Sequence, residues 1–293
     1  MSPLLQYIAM EEKTNTKEIE KLFEVGAHLG HKKNRLHPKA RKYVYKMVNG
    51  VAVIDLTQTV VQLHTAQQYL KQAAKEGKKL LVVGTKRVAS QFIQEMCKEN
   101  DIPHITTKWM PGLLTNFETL SKNTKKMLDY EAGRNDGSWD QFVKHERTKM
   151  QKDLNRLKRL YGGIEGMKKR PDILFIIDIK REKNALKEAK QNGIPVIAIT
   201  DTNTNPDTVD YPVVANDDSP TSSHYVVNAI LSSYKVEAED AKKTEKAPEK
   251  KAEPAEKKVE KVLKEEKKEE KKEEKKPKKA TAAKKTVKKE EKE

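Results

Sequence analysis

The sequence predicts an α/β protein with a doubly wound parallel sheet, an inserted antiparallel coiled-coil hairpin and a disordered charged tail. Three observations favour this fold class. Short runs of Val, Ile and Leu alternate with amphipathic helical segments, as expected for buried strands that helices cover on both faces. A long stretch of helical periodicity interrupts this alternation between His104 and Ile173. Residues 237–293 contain almost only Lys, Glu, Ala, Thr and Pro, which cannot build a core.

The domain is expected to begin with a short amphipathic helix and a basic loop. Thr16 can cap a helix with Leu22 and Phe23 on its apolar side, and Gly26 would end it. The loop that follows, 25–42, contains glycines and a proline that exclude a regular helix. Its dense group of cations cannot be buried without an anionic partner, so we expect it to be exposed.

A β-hairpin and then alternating strands and helices are predicted after the loop. The dipeptide Asn49-Gly50 separates two β-rich runs and is the strongest short hairpin signal. Thr57 and Thr85 are expected to cap the first two helices of the α/β part. Strands are predicted at 79–84, 104–107, 172–177, 195–199 and 213–214, and helices at 57–76, 87–100, 181–191 and 221–234.

The insertion at 115–161 has the periodicity of a coiled coil. The apolar residues of its second half recur at alternating intervals of three and four, which is an a/d seam: Met150, Leu154, Leu157 and Tyr161. Val143 would extend that seam by one heptad. Ser138 and Gln141 are expected to form a capping box at the start of the second helix. The outward faces of the hairpin are rich in Lys and Arg.

The charge of the chain indicates a polyanionic partner. The net charge is +16, and only a small part of it comes from the mixed Lys and Glu of the tail. Nucleic acid is the commonest partner of a basic domain. The single Cys97 fits a reducing compartment because it cannot form an intramolecular disulfide. No membrane span or signal peptide is recognisable, although Met10 could be the true start.

A turn with two cations is a further candidate for anion binding. Gly84-Thr85-Lys86-Arg87 follows a buried strand and opens a helix, where backbone amides can hold phosphate. The turn has one glycine, so neither the dinucleotide fingerprint nor the P-loop pattern is present. Its cations suit an external phosphate backbone equally well.

Four aspartates are expected at the carboxyl edge of the sheet, because each follows a predicted strand. They are Asp178, Asp201, Asp217 and Asp218. Such a cluster could hold Mg²⁺ or Zn²⁺ or serve as a phosphoacceptor. An ordinary role remains open, since Asp is common in turns and helix caps. No nucleophile elbow, C-x-x-C or H-E-x-x-H pattern is present.

Three histidines of the basic loop invite a metal interpretation as well. His28, His31 and His37 have no Cys or carboxylate near them at ligand spacing, and they are surrounded by cations. Contact with phosphates and bases is therefore favoured over metal binding. A solvated loop without a partner is the remaining alternative.

A series of motifs, in order along about 18–234, resembles those of one protein family. The segments that carry the resemblance are Gly26-Ala27-His28-Leu29-Gly30-His31, His37-Pro38-Lys39, Asn49-Gly50-Val51, Ile54-Asp55-Leu56, Val83-Gly84-Thr85-Lys86-Arg87, Gly112-Leu113-Leu114-Thr115-Asn116, Gly162-Gly163-Ile164, Asp201-Thr202-Asn203 and Asn216-Asp217-Asp218. Together they resemble the bacterial ribosomal protein S-two family of the small subunit. Met110-Pro111-Gly112 and the run 219–223 depart from the usual family pattern, and the second change removes a cation.

The resemblance implies a flavodoxin-like fold and a structural role. Family members assemble late on the small subunit between head and body, and contact small-subunit rRNA and neighbouring ribosomal proteins. They help to recruit the large mRNA-binding ribosomal protein S-one. Some hold a divalent ion at the aspartate cluster. The resemblance implies that no cofactor is required, and that a divalent cation, Mg²⁺ or Zn²⁺, could bind at Asp201, Asp217 and Asp218.

The predicted organisation is an N-terminal extension over 1–17, an α/β ribosomal protein domain over 18–236, and a disordered tail over 237–293. The predicted RNA-binding residues are His28, His31, Lys32, Lys33, Asn34, Arg35, Lys39, Arg41, Lys42, Lys86 and Arg87. We expect a non-enzymatic rRNA-binding protein of the cytoplasmic ribosome, without a membrane partner. The alternatives are a nucleotide-binding or phosphoacceptor enzyme that uses the sheet edge, and a scaffold whose coiled coil binds only protein.

Overall fold

The computed structural model describes residues 16–245, with side chains described as far as Lys235. Helix α1 covers 16–24. The remaining strands and helices, in chain order, are β1 (Leu29–Lys32), β2 (Val44–Val48), β3 (Val51–Ile54), α2 (Leu56–Lys75), β4 (Leu80–Val83), α3 (Arg87–Glu99), β5 (His104–Ile105), α4 (Phe117–Asn135), α5 (Lys144–Tyr161), β6 (Ile173–Ile177), α6 (Lys183–Gln191), β7 (Val196–Thr200), β8 (Tyr211–Val214) and α7 (Pro220–Glu245).

Five parallel strands form the main sheet, in the order β5-β4-β6-β7-β8. Counted along the chain among these five, the order is 2-1-3-4-5, which is the flavodoxin-like arrangement. The predicted α/β class with a parallel sheet is therefore confirmed. The strand order reverses beside β4, so the crevice beyond the carboxyl ends of β4 and β6 is the place where such sheets usually bind ligands.

The two faces of the main sheet belong to two separate cores. In β6, Ile173, Phe175 and Ile177 face a core that also contains residues of α1, α2, α3 and α7. Leu174 and Ile176 face the other core, which α6 and the base of the α4–α5 hairpin complete. All five residues are fully buried. This double burial explains why β6 is a continuous apolar run rather than an alternating one.

The first three strands form a small antiparallel sheet in the order β1-β3-β2. The β2–β3 hairpin confirms the prediction from Asn49 and Gly50, which both have positive φ values, 49° and 75°. That backbone is the one that a two-residue hairpin turn requires. Strand β1 was not predicted, because its sequence, Leu-Gly-His-Lys, has little β propensity.

Two predicted caps are wrong. Asp55, not Thr57, caps α2, and its Oδ1 accepts the Thr57 backbone N–H at 3.0 Å. Thr85 does not cap α3, because its hydroxyl donates to the buried Glu182 carboxylate. The cap of α2 is a local contact two residues along the chain, whereas Thr85 is drawn away from α3 by a tertiary contact.

Helices α4 and α5 pack side by side and run in opposite directions. Asn123 donates to the Tyr161 hydroxyl at 3.2 Å at one end, and Met127 and Leu154 are buried between the helices. Val143 is 59% exposed and so does not extend the seam. The predicted Ser138 cap is also wrong, because Ser138 lies in a separate short 3-10 helix and its hydroxyl donates to the Gly133 carbonyl. The coiled-coil character of this hairpin stays a prediction.

A buried carboxylate fixes the joint between the sheet and the hairpin. Glu188 of α6 accepts the indole N–H of Trp109 at 3.1 Å and the backbone N–H groups of Gly112 and Leu114 at 2.8 and 3.1 Å. With both oxygens bonded, the side chain is satisfied although it is only 9% exposed. The segment that joins the sheet to the hairpin is therefore anchored to α6 by these hydrogen bonds.

The last helix is longer than predicted. Helix α7 continues to Glu245, beyond the predicted domain boundary at 236. Most of the predicted N-terminal extension and of the predicted disordered tail, 1–15 and 246–293, lies outside the described residues. Within 16–245, no helix combines the length and the apolar character needed to cross a membrane.

Candidate nucleic-acid interface and acidic cluster

The basic loop folds as β1 followed by two 3-10 turns, Lys33–Arg35 and Pro38–Tyr43. His37 begins the second turn, where its Nδ1 accepts the Lys39 N–H at 3.2 Å. All predicted RNA-binding residues between 32 and 42 are exposed, namely Lys32, Lys33, Asn34, Arg35, Lys39, Arg41 and Lys42. The loop thus presents its cations to solvent, as the sequence predicted.

The loop is held in place by hydrogen bonds to Thr202, which follows β7. The Thr202 hydroxyl accepts the His31 N–H and its carbonyl accepts the His37 N–H, both at 2.8 Å. Gly30 lies against the same side chain, and a Cβ there would be 2.7 Å from Thr202 Cγ2 and 3.0 Å from the Ala52 carbonyl oxygen. A residue with a Cβ cannot approach Thr202 and Ala52 so closely, so this position requires glycine.

Asp207 partly neutralises two of the loop cations. Its carboxylate lies 2.7 Å from Lys42 Nζ and 3.6 Å from Lys39 Nζ. Both lysine side chains remain more than half exposed, 54% and 58%. Exposed pairs of this kind are weak, so these lysines remain accessible to an anionic ligand.

His31 faces the interior of the site rather than the surface on which RNA was expected. Its Nδ1 lies 2.9 Å from Asp201 Oδ2, its Nε2 lies 2.8 Å from Asn203 Nδ2, and its side chain is 12% exposed. Contact with the Asp201 carboxylate raises the pKa of His31, against the opposing effect of burial. His28 is also engaged, because its ring stacks on Phe23 at 4.3 Å between centroids.

Lys86 differs most from its predicted role, which was to contact an RNA phosphate. Its ammonium group lies 2.6 Å from Asp218, 2.9 Å from Asp217 and 3.9 Å from Asp178, and its side chain is 13% exposed. Burial lowers the pKa of Lys86, but the bonds to Asp218 and Asp217 outweigh that effect and raise it. Its neighbour Arg87 is exposed, and its contact with RNA stays a prediction.

The aspartates do gather at the carboxyl edge, but in unlike environments. Asp217 is almost fully buried, and burial together with the nearby Asp201 and Asp178 raises its pKa to about 7. Asp218 is 63% exposed, and its bond to Lys86 lowers its pKa. The cluster therefore contains a carboxyl group that is half protonated near neutral pH beside one that stays ionised.

The donor atoms fit a divalent cation, although with a different set from the predicted one. His31, Asp201 and Asp218 each offer an atom within 4.8 Å of the others. Asp201 Oδ2 is buried, and His31 Nδ1 lies 2.9 Å from it, so two of the candidate ligand atoms are adjacent. Asp217 is not among these three residues. The contribution of His31 was not predicted, since it depends on β1 lying against the end of β7.

The crevice that a flavodoxin-like sheet offers to a ligand is occupied by the chain itself. Lys86 and its aspartates fill the ends of β4, β6 and β8, and His31 of β1 covers the end of β7. The exposed charge lies outside this crevice, on the basic loop. The fold and the site together define an α/β scaffold that carries exposed cations on one loop.

Comparison with known proteins identifies the family. The family model described as "Ribosomal protein S2" matches residues 22–237. The small ribosomal subunit protein uS2 of Dictyoglomus thermophilum is 37% identical over 227 residues, which cover 78% of this chain and 92% of the relative. That of Coprothermobacter proteolyticus is 39% identical over 215 residues, 73% of this chain and 80% of the relative. The uS2 protein of Dehalococcoides mccartyi is 38% identical over 228 residues, 78% and 93%.

The chain belongs to the ribosomal protein S2 family, as the sequence motifs predicted. It is a protein of the small ribosomal subunit, takes part in translation as a component of a ribonucleoprotein, and is not an enzyme. The alternative of a nucleotide-binding or phosphoacceptor enzyme is therefore wrong.

Proposed function

We propose that this protein binds small-subunit rRNA through its basic loop and holds a late-assembling position between the head and body of the subunit. The observation that carries the proposal is the set of exposed cations on the loop. Among the described side chains, Lys32, Lys33, Arg35 and Arg41 take part in no ion pair. Arg87 adds a fifth exposed cation. Unpaired surface cations held on a fixed backbone suit RNA phosphates.

The loop cations supply affinity and position rather than sequence recognition. Phosphate contacts are independent of base identity, so specificity would come from RNA shape and from Asn34, which is exposed among the cations. The His28 ring stacks on Phe23 and the His31 ring contacts Asp201. Both histidines would therefore hold the loop in place rather than contact the RNA. Lys86 would likewise have a structural role, through its ion pairs with Asp217 and Asp218.

The double substitution Lys33→Ala with Arg35→Ala tests the loop. Each lost phosphate contact lowers the salt dependence of binding, so the slope of log affinity against log salt should fall by about 1.5. The measurement is co-sedimentation with small subunits that lack this protein, at increasing salt. Lys71→Ala with Lys98→Ala removes the same charge from the exposed sides of α2 and α3 and is the matched control. Equal incorporation of both variants at high salt would contradict the loop assignment.

Neighbouring ribosomal proteins, including the large mRNA-binding protein S-one, are proposed as further partners. Support comes from apolar side chains that remain exposed near the start of the domain. Phe23 is 60% exposed, Leu29 48% and Tyr45 71%. Large exposed aromatic and aliphatic groups of this kind commonly mark protein contacts.

A divalent cation is proposed at His31, Asp201 and Asp218. One imidazole and two carboxylates suit Zn²⁺ better than Mg²⁺, which prefers oxygen ligands alone. The buried Asp201 oxygen, 2.9 Å from the imidazole nitrogen of His31, is the observation that supports the site. The ion would replace the proton on His31 and join β1 to the loops after β7 and β8.

A further inference from the structure

A groove opens on the surface of the domain between α1, α3 and α7. Phe92 of α3 forms one wall, and Val25, which directly follows α1, forms the other. The volume of the groove is about 430 Å³, within the range of about 300–1,000 Å³ that is typical of ligand pockets. The floor is one face of α7, with side chains at helical spacing: Thr221, His224, Tyr225 and Asn228.

Contacts between the three helices hold the walls of the groove. The rings of Phe92 and His224 meet in a T-shaped arrangement, with 5.1 Å between their centroids. On the other side, the Thr221 hydroxyl donates to the Val25 carbonyl at 3.0 Å. Phe92, Val25 and Tyr225 are half-buried and pack against the core of the domain. The groove is therefore a fixed part of the fold, and its apolar groups are only partly covered.

The lining of the groove favours an uncharged, apolar occupant. Among the described residues that line it, none is Lys, Arg, Asp or Glu. Phosphate groups are bound mainly through Lys and Arg, so RNA does not suit this surface. The half-buried rings would instead gain free energy if an apolar group removed them from water. The groove thus suits a different kind of ligand from the basic loop.

The residues that precede α1 have matching chemistry. Residues 1–10 contain no Lys, Arg, Asp or Glu, and the first charged side chain is that of Glu11. This segment lies before the described residues. Its large apolar side chains are Met1, Leu4, Leu5, Tyr7, Ile8 and Met10.

The direction of α1 brings this segment close to the groove. Val25, just after α1, lies beside Thr221 at the start of α7. Glu18, near the beginning of α1, lies close enough to Tyr225 to raise the pKa of that phenol, although burial raises it more. Helix α1 therefore runs back along α7, and the chain enters α1 on the Tyr225 side of the groove.

The lengths are compatible with a contact inside one chain. Thr221 and Asn228 are about 10 Å apart along the axis of α7. Residues 11–15 can span up to about 17 Å when extended, and residues 3–10 up to about 27 Å. The segment can therefore reach the groove and cover its whole length.

We propose that the uncharged N-terminal segment, residues 3–10, binds in the groove between α1, α3 and α7 of its own chain. Its aliphatic side chains cover Phe92 and Tyr225, and the exposed polar groups of His224 and Asn228 can bond its backbone. The bound segment strengthens the packing of α3 and α7 where they meet α1. This contact is independent of the proposed binding of RNA.

The same chain is a better source of the segment than a second copy. A short tether gives the segment a high effective concentration at its own groove, so a small contact area is enough. Two copies with a net charge of +16 each would repel one another.

A double-mutant cycle on the full chain tests this contact. Leu5→Ala with Ile8→Ala removes apolar groups from the segment and changes none of the described residues. We expect the melting temperature to fall by about 3–6 °C relative to wild type. In a Phe92→Ala background the fall should be less than half as large, because one wall of the groove is already lost. In a Leu128→Ala background, at an exposed position of α4, the full effect should remain.

Photocross-linking measures the position of the segment directly. With p-benzoylphenylalanine in place of Tyr7, we expect cross-links to Phe92 or to residues 220–228, identified by mass spectrometry. A mixture of isotope-labelled and unlabelled protein distinguishes cross-links within one chain from those between two copies.

Four results would overturn the proposal. The first two are an unchanged melting temperature in the segment variant, and an equal fall in the wild-type and Phe92→Ala backgrounds. The other two are cross-links that lie outside the groove, and cross-links that join labelled to unlabelled chains, which would make a second copy the occupant.

Discussion

At the scale of single residues, Asp217 is the clearest example of a side chain whose environment sets its chemistry. It is a carboxyl group in a nearly closed site with two other acids and one lysine. Burial and the neighbouring acids favour its neutral form, whereas Lys86 favours the ionised form. Its pKa of about 7 results from this competition, so its protonation state changes within the physiological pH range.

The pH dependence of stability should contain a contribution from Asp217. The pKa in the folded protein, about 7, is above the value of 3.8 for an unfolded chain, so the contribution is fully present below pH 3.8 and lost as the pH rises through 7. Asp217→Asn removes the ionisable group, so the variant does not lose this stability as the pH rises. We expect the melting temperature of the variant, relative to wild type, to increase between pH 5 and pH 8 by several degrees, since 1 kcal/mol corresponds to about 2–4 °C.

The measurement is a thermal melt of both proteins in the presence of a chelator. Asp129→Asn, at an exposed position of α4, is the control and should give a difference that does not change with pH. If the melting temperature of Asp217→Asn relative to wild type stays constant or decreases with pH, the pKa of Asp217 is not raised in the folded protein.

At the scale of elements, the contact between β1 and the loop after β7 determines the shape of the surface proposed to bind RNA. Gly30 has no space for a methyl group beside Thr202. Gly30→Ala should destabilise the domain by about 1–3 kcal/mol, because the backbone must move to relieve the clash. The same movement should displace the basic loop and weaken association with the small subunit.

Urea unfolding and co-sedimentation check this prediction together. Gly162→Ala is the matched control, because a Cβ at Gly162 meets no atom within 4 Å and its φ is not positive. Wild-type stability in the Gly30 variant would show that the close approach to Thr202 is not needed.

The elements that the sequence predicted well are those with local causes. The run of β6 is apolar because helices cover both faces, and the Asn49-Gly50 hairpin follows from backbone preferences of two residues. The elements that it missed depend on distant partners. Strand β1 exists because β3 pairs with it, and Thr85 leaves its cap for Glu182, 97 residues later.

The candidate site shows the same division. The exposed cations between 32 and 42 were predicted from charge alone, because charge without a partner must face water. The internal roles of His31 and Lys86 were not, since each depends on acids more than 100 residues away in the chain, Asp201 for His31 and Asp217 for Lys86. Pairing across the sheet edge cannot be inferred from the spacing of residues in one sequence.

At the scale of the whole molecule, the proposed cation would join the antiparallel sheet to the parallel one. Its ligands come from β1 and from the loops after β7 and β8. Binding only to the folded state should raise the melting temperature of the full chain. At a Zn²⁺ concentration of about 100 times Kd the gain is about 2.7 kcal/mol, or roughly 5–10 °C.

Thermal melts with Zn²⁺, with Mg²⁺ and with chelator measure this effect. His31→Ala should abolish the rise, whereas His37→Ala, whose ring only caps a surface turn, should keep it. A rise with Mg²⁺ alone, or one that survives in His31→Ala, would exclude the proposed ligand set.

The bond between His31 and Thr202 also has a consequence for the timing of synthesis. The two residues are 171 positions apart. A ribosome that adds about 5–20 residues each second needs roughly 9–34 seconds to make the chain between them. Until Thr202 has emerged, the nascent basic loop lacks the partner that shapes it. The surface proposed to recognise rRNA is therefore completed only when most of the domain has been translated, which delays its use until the protein is nearly whole.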